Sequence, residues 1–425
     1  MKTVSSTRTN RILWLLVVGL CLGGTVPAQA QQAPNPPTNQ DEVNKQLLRR
    51  LQELEDEVKQ LKALAPAPAV APAPESTPEP PTPAVEAPPV HEVAPRLRLN
   101  VFADVGSQLY NHNPDTFLFG SLDLFMTARL SAKVSALAAV LFIARNDNSI
   151  ESDVERLLLQ YRQSDYLTLA VGRYHSWVGY YNSAFNYGAF LETTVDRPFI
   201  YAFDDHGGVL PMQEVGITVT GKIPSGKMGL NYVVEAGNGR GWGPGTEVAQ
   251  NNQDTNNSKS INGGLFLRPE SIFGLQLGFS VRHDNLSIPG PAVSETIATV
   301  HAVFINSNYE ILNEGVLVRH VEPTGPVFNT GAFYTQFSRR FRAYRPYFRY
   351  QYFNAPDNDP VYIYATPNDY SPVYVSTFVG RLNGPSVGIR YDFTEHSALK
   401  LQYDRISERA LPTVNGLTSQ LAFTF

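Results

Sequence analysis

Residues 175–212 concentrate side chains that could do chemistry. They carry Glu192, Asp196, Arg197, Asp204, Asp205 and His206 among Tyr180, Tyr181, Phe185, Tyr187, Phe190, Phe199 and Tyr201. Connections without secondary structure beyond about 12–15 residues usually serve a function. So many aromatic rings would be costly to leave in water, so the segment is expected to fold back onto an apolar wall and hold its charges there. Other chemistries are poorly served. Asp204-Asp205 offers two acids for Ca²⁺ but no further ligand spacing. His175, His206, His283, His301 and His320 form no i,i+4 helical pair and no C-x-x-C occurs, so neither a metal nor another cofactor is expected. Gly384-Pro385-Ser386-Val387-Gly388 fits G-x-S-x-G, which works only as a strand-to-helix elbow. Here it runs straight into Val387, Ile389 and Tyr391, so no catalytic serine and no enzyme is expected. The glycine-rich run 237–245 lacks G-x-G-x-x-G spacing and reads as a loop.

The elements that must position the charged segment are strands. Sixteen candidates follow residue 95: 96–110, 116–130, 133–145, 153–162, 165–174, 213–223, 227–237 and 260–268 in the first half. The second half holds 273–283, 294–305, 309–321, 327–339, 345–353, 383–393, 397–407 and 415–425. Several alternate clearly: Leu97, Leu99, Val101, Ala103 and Val105 interleave with Arg98, Asn100, Phe102 and Asp104. Windows 133–145 and 309–321 do not alternate cleanly. The final window places Leu417, Ser419, Leu421, Phe423 and Phe425 on one face and Thr418, Gln420, Ala422 and Thr424 on the other. Such a strand suits the closing edge of a transmembrane barrel, with all but Ser419 of the odd face toward lipid.

Composition agrees. The 425 residues are 11% aromatic but only 17% charged, and mean hydropathy is −0.20. No stretch after the N-terminus offers the roughly 20 apolar residues of a membrane helix. The N-terminus reads as a signal peptide, residues 1–30: Lys2, Arg8 and Arg11, an apolar core over 12–22, then Ala28-Gln29-Ala30. The sole cysteine, Cys21, falls within it, and Leu20 before it argues against a lipoprotein signal. Cleavage removes three positive charges and takes the net charge from −5 to −8, so nucleic acid is not an expected partner. Residues 40–64 fit a short coiled coil, with Asn44, Leu51 and Val58 at a and Leu47, Leu54 and Leu61 at d. Residues 65–95 hold eleven prolines and form a semi-rigid linker. The barrel then occupies 96–425.

Connections alternate between short turns (Ser131-Ala132, Gln163-Ser164, Pro224-Ser225-Gly226, Asn306-Ser307-Asn308, Thr394-Glu395-His396) and longer loops, notably 175–212, 238–259 and 354–382. An outer-membrane barrel has this parity, with short turns on the periplasmic side.

In strand number, loop parity, a long third loop and terminal Phe425, residues 96–425 resemble the sixteen-stranded porins of Gram-negative bacteria. The heptads and Pro-rich spacer are similar to those of trimeric porins with a periplasmic coiled coil. The resemblance implies that the third loop enters the lumen and sets acids against a basic wall. Here the acids would be Glu192, Asp196, Asp204 and Asp205, beside Arg197. The inward wall cations by strand parity are Arg156, Arg282, Arg349, Arg390 and Lys400. Those charges either impose a field on permeants or form ion pairs that brace the wall.

The expected function is an outer-membrane porin passing small hydrophilic solutes. The alternatives are a substrate-selective channel, for anions or carboxylates, and a structural tether to the cell wall. A sugar track is disfavoured because few inward aromatics can be placed: Phe102, Phe125, Phe266 and Tyr347. A barrel phospholipase is disfavoured because no Ser, His and partner trio is found on a lipid-facing rim. Expected partners are sister chains of a homotrimer, outer-membrane lipid and lipopolysaccharide, with peptidoglycan reached by the N-terminal segment.

Overall fold

The computed structural model describes residues 96–425, except 113, 146–147, 186–187, 202–208, 243–247, 291, 324, 363–379 and 410–411. The signal peptide 1–30, the heptads 40–64 and the linker 65–95 lie outside the described residues, as do Asp204, Asp205 and His206.

The chain forms β1 (Arg96–Tyr110), β2 (Thr116–Arg129), β3 (Val134–Ala144), β4 (Ile150–Ser164), β5 (Leu167–His175) and β6 (Gln213–Lys222). Then come β7 (Leu230–Gly237), β8 (Arg240–Trp242), β9 (Val248–Gln250), β10 (Ser260–Leu267), β11 (Leu275–Leu286) and β12 (Val293–Ile305). The last third holds β13 (Tyr309–Val321), β14 (Val327–Arg339), β15 (Tyr344–Ala355), β16 (Gly380–Thr394), β17 (Ser397–Glu408) and β18 (Val414–Thr424). All but β8 and β9 join one closed antiparallel barrel of sixteen strands, in which β7 pairs directly with β10. Each expected strand is present. The β8–β9 ribbon, three residues a side, was not expected and lies within the 238–259 loop.

The sidedness of the connections alternates throughout, but their lengths overlap. The 223–229 turn, which winds a 3-10 turn over Gly226–Met228, is longer than connections 111–115 and 322–326 at the opposite end.

The polarity of this fold is inverted. Val300 and Leu317 are 56% and 53% exposed, whereas Arg349, Lys400 and Gln402 are fully buried. A surface that is apolar outside and polar inside suits a hydrocarbon solvent, and ladder closure satisfies the backbone groups that lipid cannot. Exposed aromatics gather near the two ends of the strands: Tyr166, Phe273, Phe341, Tyr344 and Phe425 at one, Phe117 and Phe119 at the other.

The seam between β1 and β18 runs from Phe102 opposite Thr424 to Tyr110 opposite Gly416, with Phe425 N donating to Val101 O at 3.1 Å. Ser419, the polar exception on the outward face, meets Ser107 across this seam, their hydroxyls 2.7 Å apart. A matched pair lowers the cost of each hydroxyl in lipid. Gly106 is required beside it, since a Cβ there would lie 2.2 Å from Ser419 O.

The two windows without clean alternation have a physical explanation. On β13 the lumenal face mixes Glu310, Glu314 and His320 with buried Leu312, Val316 and Val318, which pack against residues folded into the lumen. On β3 both faces are apolar, and a bulge between Ala139 and Leu141 shifts the pairing with β4. G-x-S-x-G lies inside β16, with Ser386 opposite Arg349 in the ladder and no helix after it.

Candidate functional site

The connection 176–212 leaves β5 and enters the barrel. Counting round the ring from β5 to β16 gives seven steps one way and nine the other, so wall contacts on β15–β17 lie about half a circumference away. The segment therefore crosses the lumen.

Near its start, Trp177 N donates to Glu235 Oε2 of β7 at 3.1 Å, while its ring lies 5.6 Å from that of Phe266. A one-turn helix, Tyr181–Phe185, comes next. Its entry is held by Glu314 of β13, which accepts from Tyr180 N at 2.7 Å and Tyr181 N at 2.9 Å. Glu314 also accepts from the hydroxyls of Tyr201 (2.8 Å) and Tyr334 (2.5 Å). Three of these donors come from the loop, so one carboxylate ties residues 180–181 and 201 to the same point on the wall, and the fourth, Tyr334, comes from β14. The buried rings of Tyr181, Phe199, Tyr201 and Tyr334 pack with Leu312, Val316 and Val318.

Residues 189–199 lie on β15–β17. Arg349 donates to Thr194 Oγ1 at 3.1 Å and to Asp196 O at 2.6 Å, and forms an ion pair with the Asp196 carboxylate. Arg390 donates to the carbonyls of Phe190 and Glu192, both at 2.7 Å, and its guanidinium lies 5.1 Å from the Phe190 ring centroid. Lys400 donates to Ala189 O at 2.6 Å and Thr194 O at 2.7 Å. Gln402 completes the contact, accepting from Val195 N at 3.1 Å and donating to Asp196 Oδ1 at 3.0 Å. Phe199 N donates to Gln351 Oε1 at 2.7 Å. The loop meets β1 at Gly188, whose φ is +98° and where an added Cβ would lie 2.5 Å from Phe102 Cβ, so the position suits a residue without a side chain.

The structure thus brings Glu192, Asp196, Arg349, Arg390 and Lys400 together. Burial pushes the Glu192 carboxyl above its ordinary range, and the Lys400 ammonium opposes that shift. Arg197 acts electrostatically on Glu192 and on Asp123 of β2. Arg156, buried on β4, stacks 5.1 Å over the Phe125 ring and also acts on Asp123.

Arg282 belongs elsewhere, to a second buried charge cluster. It donates to Glu214 (3.1 Å), Asp284 (2.9 Å) and Glu295 (3.3 Å). Arg240 of the ribbon pairs with Glu295, and His320 places its ring nitrogens 3.0 Å from Glu295 and 2.8 Å from Asp359.

The inward aromatics expected from parity all face the lumen or its loop, and Tyr347 donates to Gln402 at 3.0 Å. Glu314, Gln351 and Gln402 were missed. Strand parity places Gln351 and Gln402 inward, while Glu314 stands in a window without clean alternation, and no local spacing marks any of the three as an acceptor for a distant loop. Along β13–β17 the lumenal positions are nearly all buried, whereas Phe102, Asp104, Phe125, Thr127, Leu158 and Gln160 on β1–β4 keep partial exposure. Among the described residues, no group of three His, Cys, Asp or Glu could hold a metal ion.

No protein-family profile matches the chain, and no curated protein matches it. Solved structures do. An anion-selective porin from Comamonas acidovorans superposes with a TM-score of 0.57 at 11% identity, covering 78% of this chain and 100% of that one. The outer-membrane channel DcaP of Acinetobacter baumannii gives 0.51 at 10% identity, covering 78% and 97%. Salmonella typhi OmpF, in complex with daunomycin, gives 0.51 at 10% identity, covering 77% and 97%. At such identities the likeness speaks to architecture, and residues 96–425 have the closed sixteen-strand fold of the Gram-negative outer-membrane porins.

Proposed function

We infer that this chain is an outer-membrane porin, a water-filled channel for passive diffusion of small hydrophilic solutes. The observation that carries the reading is the 176–212 loop crossing a polar-lined, closed barrel to a wall half a circumference away. The passage runs between that loop and the β1–β4 wall, where lumenal side chains keep access to water. Glu192, Asp196 and Arg197 on the loop, with Arg156, Arg349, Arg390 and Lys400 on the wall, form the constriction. Asp204 and Asp205 add acids from the same loop, and Arg282 acts further along the lumen.

In this reading the short turns face the periplasm, lipopolysaccharide covers the outer leaflet and three chains associate through their barrels. Residues 40–64 then lie in the periplasm and support the trimer or reach peptidoglycan. Exchanging Leu51 and Leu54 for Asp should leave detergent-extracted trimers intact; collapse to monomers would favour the tether. The channel itself is tested by recording purified protein in planar bilayers. Discrete steps of current, proportional to voltage at about 1 M salt, are expected, and a folded barrel that passes no ions would overturn the reading.

A further inference from the structure

The two mouths of the barrel differ in charge. At the short-turn mouth Arg96 and Arg129 face each other in the β1–β2 ladder, with Arg98 two residues along. Arg162 and Lys222 flank the 165–166 turn, both bonded to the single carboxylate of Asp165 at 2.8 and 2.9 Å. Arg268 donates to Gln276 at 2.7 Å, and Gln276 contacts the lumenal His301. These six cations are exposed, and each continues the inward face of its strand. Among the described residues no carboxylate pairs with Arg96, Arg98, Arg129 or Arg268. The acids described on the turns at this mouth are Asp165, Glu270 and Glu395, and Asp392 near the end of β16 is itself shared by Arg340 and Arg390. Among the described residues of the opposite mouth, four cations are paired with carboxylates: Arg145 with Glu151, Arg173 with Asp153, Lys259 with Asp254 and Arg409 with Asp357.

We propose that the short-turn mouth is an anion-collecting vestibule, which concentrates small anions at one end of the channel and makes ion flow depend on the sign of the voltage. The proposal rests on the channel reading above and adds the solute class and the end from which it is drawn. Fixed cations act over a Debye length, about 30 Å at 0.01 M salt and about 3 Å at 1 M. At low salt the collar therefore spans the mouth and raises the local anion concentration, while at high salt it is silent. Because the four cations named at the other mouth are each paired with a carboxylate, the enrichment is one-sided and the current becomes asymmetric.

The test is single-channel recording of the full-length protein in symmetric KCl. At about 0.01 M the currents at +100 and −100 mV should differ by roughly 1.5- to 3-fold, converging at 1 M. Single channels make the result independent of insertion direction. The triple exchange Arg98→Ser, Arg129→Ser and Arg268→Ser should abolish the asymmetry, and Arg98→Ser alone should reduce it. Arg409→Ser at the opposite mouth should leave it in place. Channels with symmetric currents at low salt, or asymmetry that survives the triple exchange, would overturn the vestibule while leaving the porin intact. Absence of any channel would overturn the porin reading, and the vestibule with it.

Discussion

The lumen holds two buried charge systems built from the same residue types and wired differently. On β15–β17 the donors of Arg349, Arg390 and Lys400 go largely to main-chain carbonyls of the loop, at Ala189, Phe190, Glu192, Thr194 and Asp196, with two carboxylate pairs, Arg349 with Asp196 and Arg390 with Asp392. Around Arg282 and Arg240 the donors go to carboxylates of Glu214, Asp284 and Glu295, and His320 joins Glu295 to Asp359. The first system is a latch. It fastens a segment whose neutral acceptors can be returned to water. The second is a stitch through β6, β11, β12 and β13, where acids outnumber guanidinium groups, so each cation holds apart carboxylates that would otherwise repel. A buried cation can thus serve either the passage or the frame, and its partners tell which.

The comparison predicts unequal responses to the same exchange. Arg282→Ala should be the most damaging, at about 3–5 kcal/mol, because it leaves Glu214, Asp284 and Glu295 together without their shared cation. The thermal transition of the folded barrel in detergent should fall markedly; an unchanged transition would mean that water reaches the cluster. Arg349→Ala should cost less, about 1–3 kcal/mol, since most of what it leaves behind is neutral. Its effect should appear in single-channel conductance, raised as residues 189–199 loosen. A large loss of stability without a change in conductance would make the latch a second stitch. Asp357→Asn, which breaks an ion pair more than half exposed on both sides, should stay within about 0.5 kcal/mol and leave conductance as it was.

The barrel was legible because its signal is repeated in every strand. A period of two, an inward polar face and turns at regular intervals were enough to find all sixteen. Parity failed on β13 because the loop packs onto its lumenal Leu312, Val316 and Val318, which stand among Glu310, Glu314 and His320 on that face. The same fact hid Glu314, which looks like one charge in an irregular window and is the acceptor of three loop donors and of Tyr334 on β14. Parity did orient Arg349, Arg390 and Lys400. Spacing along a strand cannot say which wall a loop will reach, however, so the separation of Arg282 from those three was out of sight. The β8–β9 ribbon was missed because three-residue strands are shorter than any useful window.

The central claim is that the 176–212 loop narrows a water-filled passage, and one measurement addresses it directly. Deleting residues 185–198 removes the segment held by Arg349, Arg390 and Lys400 while keeping the anchor at Glu314. In a barrel that still folds, single-channel conductance at about 1 M salt should rise by at least about 1.5-fold, because the narrowest section sets the resistance of a pore. A folded barrel with the conductance of the intact protein would show that ions never pass the loop, and the account would be wrong.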